Sequence, residues 1–409
     1  MLKERFQLKI RPVHALAVFF LGFMLYVGLA ALPSLLIQTG ETMQGDIQAR
    51  NYIKQTNDLY EGMLRTDPEV PHLQNKGSYI NLNGFMAKSL GQPMMNERVK
   101  LKNGHLATVT PEHSDPESIR KAAENIIRFH KAHTSAGGDF LFVMVPSQIS
   151  KYEDLLPPGY TDTTNADADA FLALLEQSGV TYLDLREELQ KDGISVTDAY
   201  YVTDHHWTPQ TGFWAYGKMV EKLAQMGTIE PVDPFYTDPE NYTFETHPDT
   251  FLGSSGKRTG KYYTGVDDSI LIRPNFDTDI HISVPKRKLE LQGRFEEVAY
   301  NTDVIHDYTH PDFYGDNVYG LYGWGDTPIT HWRNEHAAEQ RKFLLIGESF
   351  GNIPYSLMSL TFGSCDEVDR RHFEDDFLAY YEDYAPDTVI ITVNVDMTIS
   401  ENTTSTYPG

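Results

Sequence analysis

Three features of the sequence predict a three-layer α/β/α domain with a β-rich insertion, preceded by one N-terminal transmembrane helix. The first is a pair of strand-like segments, Asp139-Phe140-Leu141-Phe142-Val143-Met144-Val145, continuously apolar from Phe140, and Thr388-Val389-Ile390-Ile391-Thr392-Val393-Asn394. Strands apolar at nearly every position suit a parallel sheet covered on both faces. The second is the alternation of such runs with helical segments between Pro116 and Met226, the order expected when helices flank a sheet. The third is a stretch of 23 residues, Ala15 to Ile37, without a charge, long enough to cross a hydrocarbon layer as a helix.

Lys3, Arg5, Lys9 and Arg11 precede that stretch, so the positive-inside rule keeps residues 1–14 cytoplasmic and sends everything after Gln38 outside. A cleavable signal peptide is the competing reading, because Gly28-Leu29-Ala30-Ala31 supplies small residues. The run exceeds the usual h-region of about 7–15 residues, which favours an uncleaved anchor. Residues 38–80 read as a helical stalk, with Ile47, Tyr52, Ile53, Leu59, Tyr60 and Leu64 loosely on one face.

Residues 81–409 are expected to form the catalytic domain. Asn81 to Val109 looks strand-like and Gly-punctuated, and Pro116 to His133 has the acidic start and basic end of a surface helix. Asp139 to Val145 is a buried strand, Ala166 to Ser178 a helix, Val180 to Leu183 a second strand and Pro209 to Met226 a further helix. From about 228 to 340 short β-type runs such as Tyr242–Phe244, Ser269–Ile272 and Lys288–Leu291 alternate with Gly, Pro, Asp and Asn. This region reads as an insertion that helps to form the cleft. The sheet pattern resumes at Phe343–Ile346, passes through a helix from Phe350 and ends with Thr388–Asn394.

Composition narrows the function. The chain of 409 residues carries 34 basic and 58 acidic residues, a formal charge of −24, and binding nucleic acid by neutralising phosphates needs the opposite surface. Cys365 is the only cysteine, so no intrachain disulfide and no cysteine-based metal site can form; it reads as a packing residue.

Chemistry concentrates in two stretches. Tyr200-Tyr201-Val202-Thr203-Asp204-His205-His206-Trp207-Thr208 places an Asp, two His and a Trp in succession before a helix, and ionisable groups so placed are costly to bury without partners. Phe343-Leu344-Leu345-Ile346-Gly347-Glu348-Ser349-Phe350-Gly351 is an apolar run, a tight Gly-x-Ser turn and a helix start. Such a turn exposes a hydroxyl beside N–H groups that can hold an oxyanion. Together they supply the parts of a Ser/His/Asp hydrolase or transferase, and a triad is defined by geometry, not chain order. The second oxyanion donor beside the Ser349 N–H is Asn394 at the end of the last strand, or Asn394 is a strand-end cap. His205 is expected to support the loop and Trp207 to pack beneath it.

A metal site on Asp204, His205 and His206 is the chemical rival, disfavoured because neighbouring side chains on an extended segment point to opposite faces. The non-enzymatic rival is a glycan-binding scaffold in which Tyr314, Tyr319, Tyr322 and Trp324 stack on sugar rings or else pack the loop.

Asp204-His205-His206-Trp207, with Tyr201 before it and Thr208 after it, resembles the defining motif of the DHHW-motif proteins. It is also similar to the Asp-x-His-Trp motif of the alginate O-acetyltransferase (AlgJ/AlgX-like) family of the SGNH-hydrolase-like superfamily. Phe251-Leu252-Gly253-Ser254 and Leu344 to Asn352 extend the resemblance over most of the chain beyond the anchor. The departure is Glu348, where the superfamily's turn usually has Asp. The resemblance implies an SGNH-hydrolase-like fold with Ser349 as nucleophile, His206 as base and Asp204 as its orienting partner, with no cofactor. It further implies a membrane-anchored extracytoplasmic O-acetyltransferase acting on a cell-envelope or exported polysaccharide, partnered by a multipass membrane O-acyltransferase. A carbohydrate acetylesterase or a non-catalytic scaffold of an acetylation complex is the alternative.

Overall fold

The helices and strands below come from a computed structural model that describes residues 18–22, 25, 26, 29, 76–310 and 313–409. The chain divides into two units, Met1–Tyr79 and Ile80–Gly409. Of the expected anchor at 15–37, residues 18–22, 25, 26 and 29 are described and helical; the rest of it, and the expected stalk up to residue 75, lie outside the described residues. No helix among the described residues is long and apolar enough to cross a membrane.

Three short strands, β1 (Met94–Met95), β2 (Arg98–Lys100) and β3 (Leu106–Ala107), make a small antiparallel sheet. They are followed by β4 (Asp139–Val145), β5 (Tyr182–Asp184), β6 (Tyr242–Phe251), β7 (Asp267–Pro274), β8 (Ile280–Val284), β9 (Leu289–Gly293), β10 (Ile329–Arg333), β11 (Glu339–Ile346), β12 (Phe362–Val368) and β13 (Thr388–Asn394). β6 and β7 pair as a separate antiparallel ribbon. The other eight form one sheet in the order β5-β4-β13-β11-β12-β10-β8-β9. Its first five strands are parallel, whereas β10, β8 and β9 are antiparallel.

Among the described residues the helices of seven residues or more are α1 (Lys76–Ser89), α2 (Pro116–Ser135), α3 (Thr164–Gln177), α4 (Leu185–Asp192), α5 (Pro209–Gln225), α6 (Asn352–Met358) and α7 (Phe377–Tyr384). Pro116 opens α2 behind the Asp115 cap, whose carboxylate accepts the Ser118 N–H at 3.2 Å. Its buried Ile119, Ala123, Ile126 and Phe129 recur at helical spacing and pack on Phe140, Phe142 and Met144 with residues of α3. The alternate residues of β4, Leu141, Val143 and Val145, meet α4, α5 and α6 on the opposite face. This is the three-layer arrangement that the all-apolar runs predict. Fully burying each such side chain contributes about 1.5–3 kcal/mol, so a strand buried at all seven positions, as β13 is, needs helices on both sides.

Two expectations need correction. Residues 228–340 are not an insertion throughout: β8, β9 and β10 complete the main sheet beyond β12. Their alternating burial, for example Ile280, Ile282 and Val284 inside with His281 and Ser283 between, belongs to antiparallel strands covered more on one face. Nor does Asn81 begin a strand-like stretch, because it lies within α1. That helix contains weak helix formers, and it is fixed by close approach instead: a Cβ on Gly84 would fall 2.1 Å from the Thr259 carbonyl oxygen.

The carboxyl ends of β4, β13, β11 and β12 share one edge of the sheet, since these strands are parallel. Ligand sites of α/β sheets gather at such an edge. Gly347-Glu348-Ser349 follows β11 there.

Candidate active site

The loop that carries the Asp-His-His-Trp tetrad is closed on itself. Tyr200 pairs with Trp207 in an isolated antiparallel bridge, and the Tyr201 N–H donates to the His206 carbonyl at 3.2 Å. Thr208 then caps α5, with Pro209 in the first turn. Side chains from elsewhere tie the loop down. Gln148, just past the end of β4, donates through Nε2 to the carbonyls of Tyr201 and Asp204, both at 2.8 Å. The Asp267 carboxylate accepts the N–H groups of Val202 and Thr203 at 3.0 and 2.7 Å and the Thr203 hydroxyl at 2.6 Å. Trp207 is fully buried, its ring edge-on to Phe350, as a packing residue would be.

Against this loop stands the turn after β11. Ser349 begins a single 3₁₀ turn, Ser349–Gly351, that runs into α6. Ser349 Oγ lies 2.6 Å from His206 Nε2, and His206 Nδ1 is hydrogen-bonded to Asp204 Oδ1. A carboxylate on Nδ1 fixes the tautomer with the proton there, so Nε2 is the acceptor for the hydroxyl proton. Asp204 Oδ2 accepts the Ser254 N–H at 2.6 Å. All three side chains are buried or nearly so. Burial opposes ionisation of the Asp204 carboxyl, but His206 and His205 beside it and these hydrogen bonds more than offset it and hold the carboxyl well below the usual range.

The His206 ring is clamped on its faces. Tyr319 stacks on it with centroids 3.7 Å apart and planes 7° from parallel, and the His205 ring lies 3.9 Å away. The two histidines therefore do not point to opposite faces, as an extended segment would require; the closed loop brings their rings together. Asp204, His205 and His206 do offer ligand atoms within 4.8 Å of one another. Both nitrogens of His206 are engaged, by Asp204 and Ser349, which leaves it no lone pair for an ion. His205 is half-exposed and bonds through Nδ1 to the Ser254 hydroxyl at 2.9 Å, bracing the loop.

Part of this site lies in a segment similar to a known domain. Residues 106–241 match the family model described as SGNH hydrolase-like domain, acetyltransferase AlgX. The chain resembles that SGNH hydrolase-like domain. The match includes the Asp204–Trp207 tetrad and ends before Ser349. Among solved structures, PatB1 of Bacillus cereus superposes with a TM-score of 0.60 at 17% identity, over 76% of this chain and 97% of that one. The same protein with a sulfonyl adduct gives 0.60 and 17%, over 76% and 99%. A DHHW family protein from Eubacterium siraeum follows at 0.55 and 17%, over 77% and 97%. These likenesses are of fold. No curated protein sequence matches the chain.

Asn394 is not placed as expected for an oxyanion donor. Its N–H donates to Glu348 Oε1 at 2.6 Å, its Nδ2 to the Pro146 carbonyl, and its Oδ1 accepts the Asp396 N–H at 2.9 Å. A polar residue closing a buried strand must satisfy the backbone around it, and Asn394 does so as a cap. Glu348 turns its carboxyl toward that strand end, away from the serine, and burial pushes it up to about 8. The extra methylene that sets it apart from Asp therefore reaches the β13 terminus. Of the aromatics offered for sugar stacking, Tyr319 and Tyr322 are buried, Tyr314 bonds Asn81 and Trp324 donates to the Val298 carbonyl at 2.8 Å, so loop packing accounts for all four. Cys365 is buried.

Sequence reasoning named Tyr319 without its place on the His206 ring, and did not find Gln148, Asp267 or the Ser254 N–H. The last had a signal, because Gly253-Ser254 lies in the stretch already similar to the family. Gly253 meets the site so closely that a Cβ there would fall 2.2 Å from the Asp204 Cβ, and only glycine allows that approach. A groove of about 630 Å³ lined by Phe213, Trp214, Val232 and Phe244 runs along α5. None of Asp204, His206 and Ser349 lines it.

Proposed function

We propose that this chain is an O-acetyltransferase that moves acetyl groups onto a cell-envelope or exported polysaccharide through an acetyl-enzyme on Ser349. The observation that carries the proposal is the unbroken hydrogen-bond chain Asp204–His206–Ser349 at the carboxyl edge of the parallel strands. In the first half-reaction the Ser349 oxygen bonds to the carbonyl carbon of an acetyl donor while its proton passes to His206 Nε2. The tetrahedral intermediate collapses, the donor's oxygen leaves, and His206 returns the proton to it. In the second half a sugar hydroxyl attacks the acetyl-serine, yields its proton to His206, and Ser349 departs as alcohol. Asp204, held ionised, stabilises the imidazolium in both halves.

Support for acetyl transfer comes from the AlgX-type model over residues 106–241 and the tetrad within it. PatB1 has been solved with a sulfonyl adduct, which suggests a sulfonyl fluoride as a label for this chain's nucleophile. The uncharged run at 15–37 behind four basic residues supports a single-pass anchor with the catalytic domain outside the cell, where a multipass membrane O-acyltransferase could hand over acetyl groups.

The test uses the detergent-solubilised full chain and a chromogenic acetyl ester, with and without oligosaccharide acceptors. Release that depends on Ser349 and His206, and that is diverted into acetylated sugar, is the expected result. Release unaffected by any acceptor would make the enzyme an acetylesterase, and no release from a folded parent would leave the scaffold reading.

A further inference from the structure

We infer that the side chain of Asn352 supplies the second oxyanion donor, beside the Ser349 N–H. The inference rests on the acetyl-transfer reading and extends it to a residue outside the hydrogen-bonded chain. With Asn394 committed to capping, the site needs another donor for the negative oxygen of the tetrahedral intermediate.

Two independent observations single out Asn352. The first is its place on the turn. The segment from Ser349 is 3₁₀, and the Asn352 N–H closes it onto the Ser349 carbonyl. In a helix of three residues per turn, side chains at i and i+3 eclipse one another. Asn352 therefore stands over Ser349 on the face that presents the nucleophile.

The second is its lack of a partner. Asn352 is 4% exposed, yet its Nδ2 has no hydrogen-bond partner. Buried donors are nearly always satisfied, and one left open is destabilising, so such a group calls for a reason. An oxyanion formed at the neighbouring serine gives one. Ser349, as first residue of the turn, has a backbone N–H that the turn does not use. The two donors together would hold the oxygen as the C–O bond to Ser349 forms.

The donor matters only when charge develops, so its removal should lower turnover more than binding. With the full chain and p-nitrophenyl acetate, Asn352→Ala is expected to lower kcat about 10²- to 10³-fold, with KM within threefold. Its pH profile should keep the parent's shape, since His206 and Asp204 are untouched. Asn352→Asp, of the same shape but without the donor, should lose at least as much above pH 7. It carries the test if Asn352→Ala fails to fold by circular dichroism. An active parent whose Asn352→Ala and Asn352→Asp variants stay within threefold in kcat would overturn the inference alone. A parent with no esterase activity would overturn the acetyl-transfer reading and this inference with it.

Discussion

The two halves of the site are held by different means. The Asp204–His206 loop has no regular structure of its own and is over-determined by polar contacts: Gln148 on two of its carbonyls, Asp267 on two of its N–H groups, Ser254 on Asp204. The Ser349 turn is the opposite, a direct continuation of a buried parallel strand into a helix, placed by the sheet itself. His206 and Asp204 thus depend on a network that single substitutions can loosen. Ser349 depends instead on the core that fixes the end of β11. The division suits a residue that must hold and release protons, because hydrogen bonds set imidazole orientation and tautomer as packing alone cannot.

The largest expected effects come from the reacting atoms. Ser349→Ala and His206→Ala should each lower ester turnover by about 10⁴-fold or more, and the double variant should be little worse than either, as for groups that act as a unit. Initial rates on a chromogenic acetyl ester decide this, and an additive double variant would break the unit. Asp204→Asn comes next, with a loss of about 10³–10⁴-fold, because an amide at that position favours the wrong tautomer of His206.

A smaller effect isolates the network. Gln148→Ala should lower kcat by roughly 10-fold and stability by about 1–3 kcal/mol, since two buried carbonyls lose their donor. Chemical denaturation and kinetics on the same preparation measure both. Unchanged kcat with lowered stability would show that the loop keeps its geometry without the network.

The smallest effect lies on the serine side. Burial pushes Glu348 up to about 8 from an ordinary value of about 4.5. Between these values the fold keeps a proton that the unfolded chain has released, so this group's contribution is full below about 4.5 and is lost as pH rises to about 8. Tm should decline through that window, where burial also pushes up Glu367 and Asp396, and Glu348→Gln should remove its own share of the decline. A Glu348→Gln variant with the parent's pH dependence would refute the assignment.

Much of the frame was readable because it rests on burial. The segments Asp139–Val145 and Thr388–Asn394 coincide with β4 and β13, since strands covered on both faces are apolar at nearly every interior position. The Asp204, His206 and Ser349 side chains were readable because the chemistry restricts residue type. β8 and β10 were not, because a short alternating antiparallel strand between turn residues looks like any loop-rich stretch until its partners are known. Asn394 misled because a strand-end amide caps as readily as it donates to a ligand. The Tyr319 stack lies beyond reach for a different reason: a buried tyrosine in an aromatic-rich loop does not announce which ring it covers.

The central claim is that Ser349 becomes the acetyl carrier. Acid-quenching the full chain during turnover of a chromogenic acetyl ester, followed by peptide mass spectrometry, locates the acetyl group directly. The account predicts one acetyl on the peptide that contains Ser349, absent from Ser349→Ala. Acetylation of another residue at the same rate in Ser349→Ala as in the parent would contradict it.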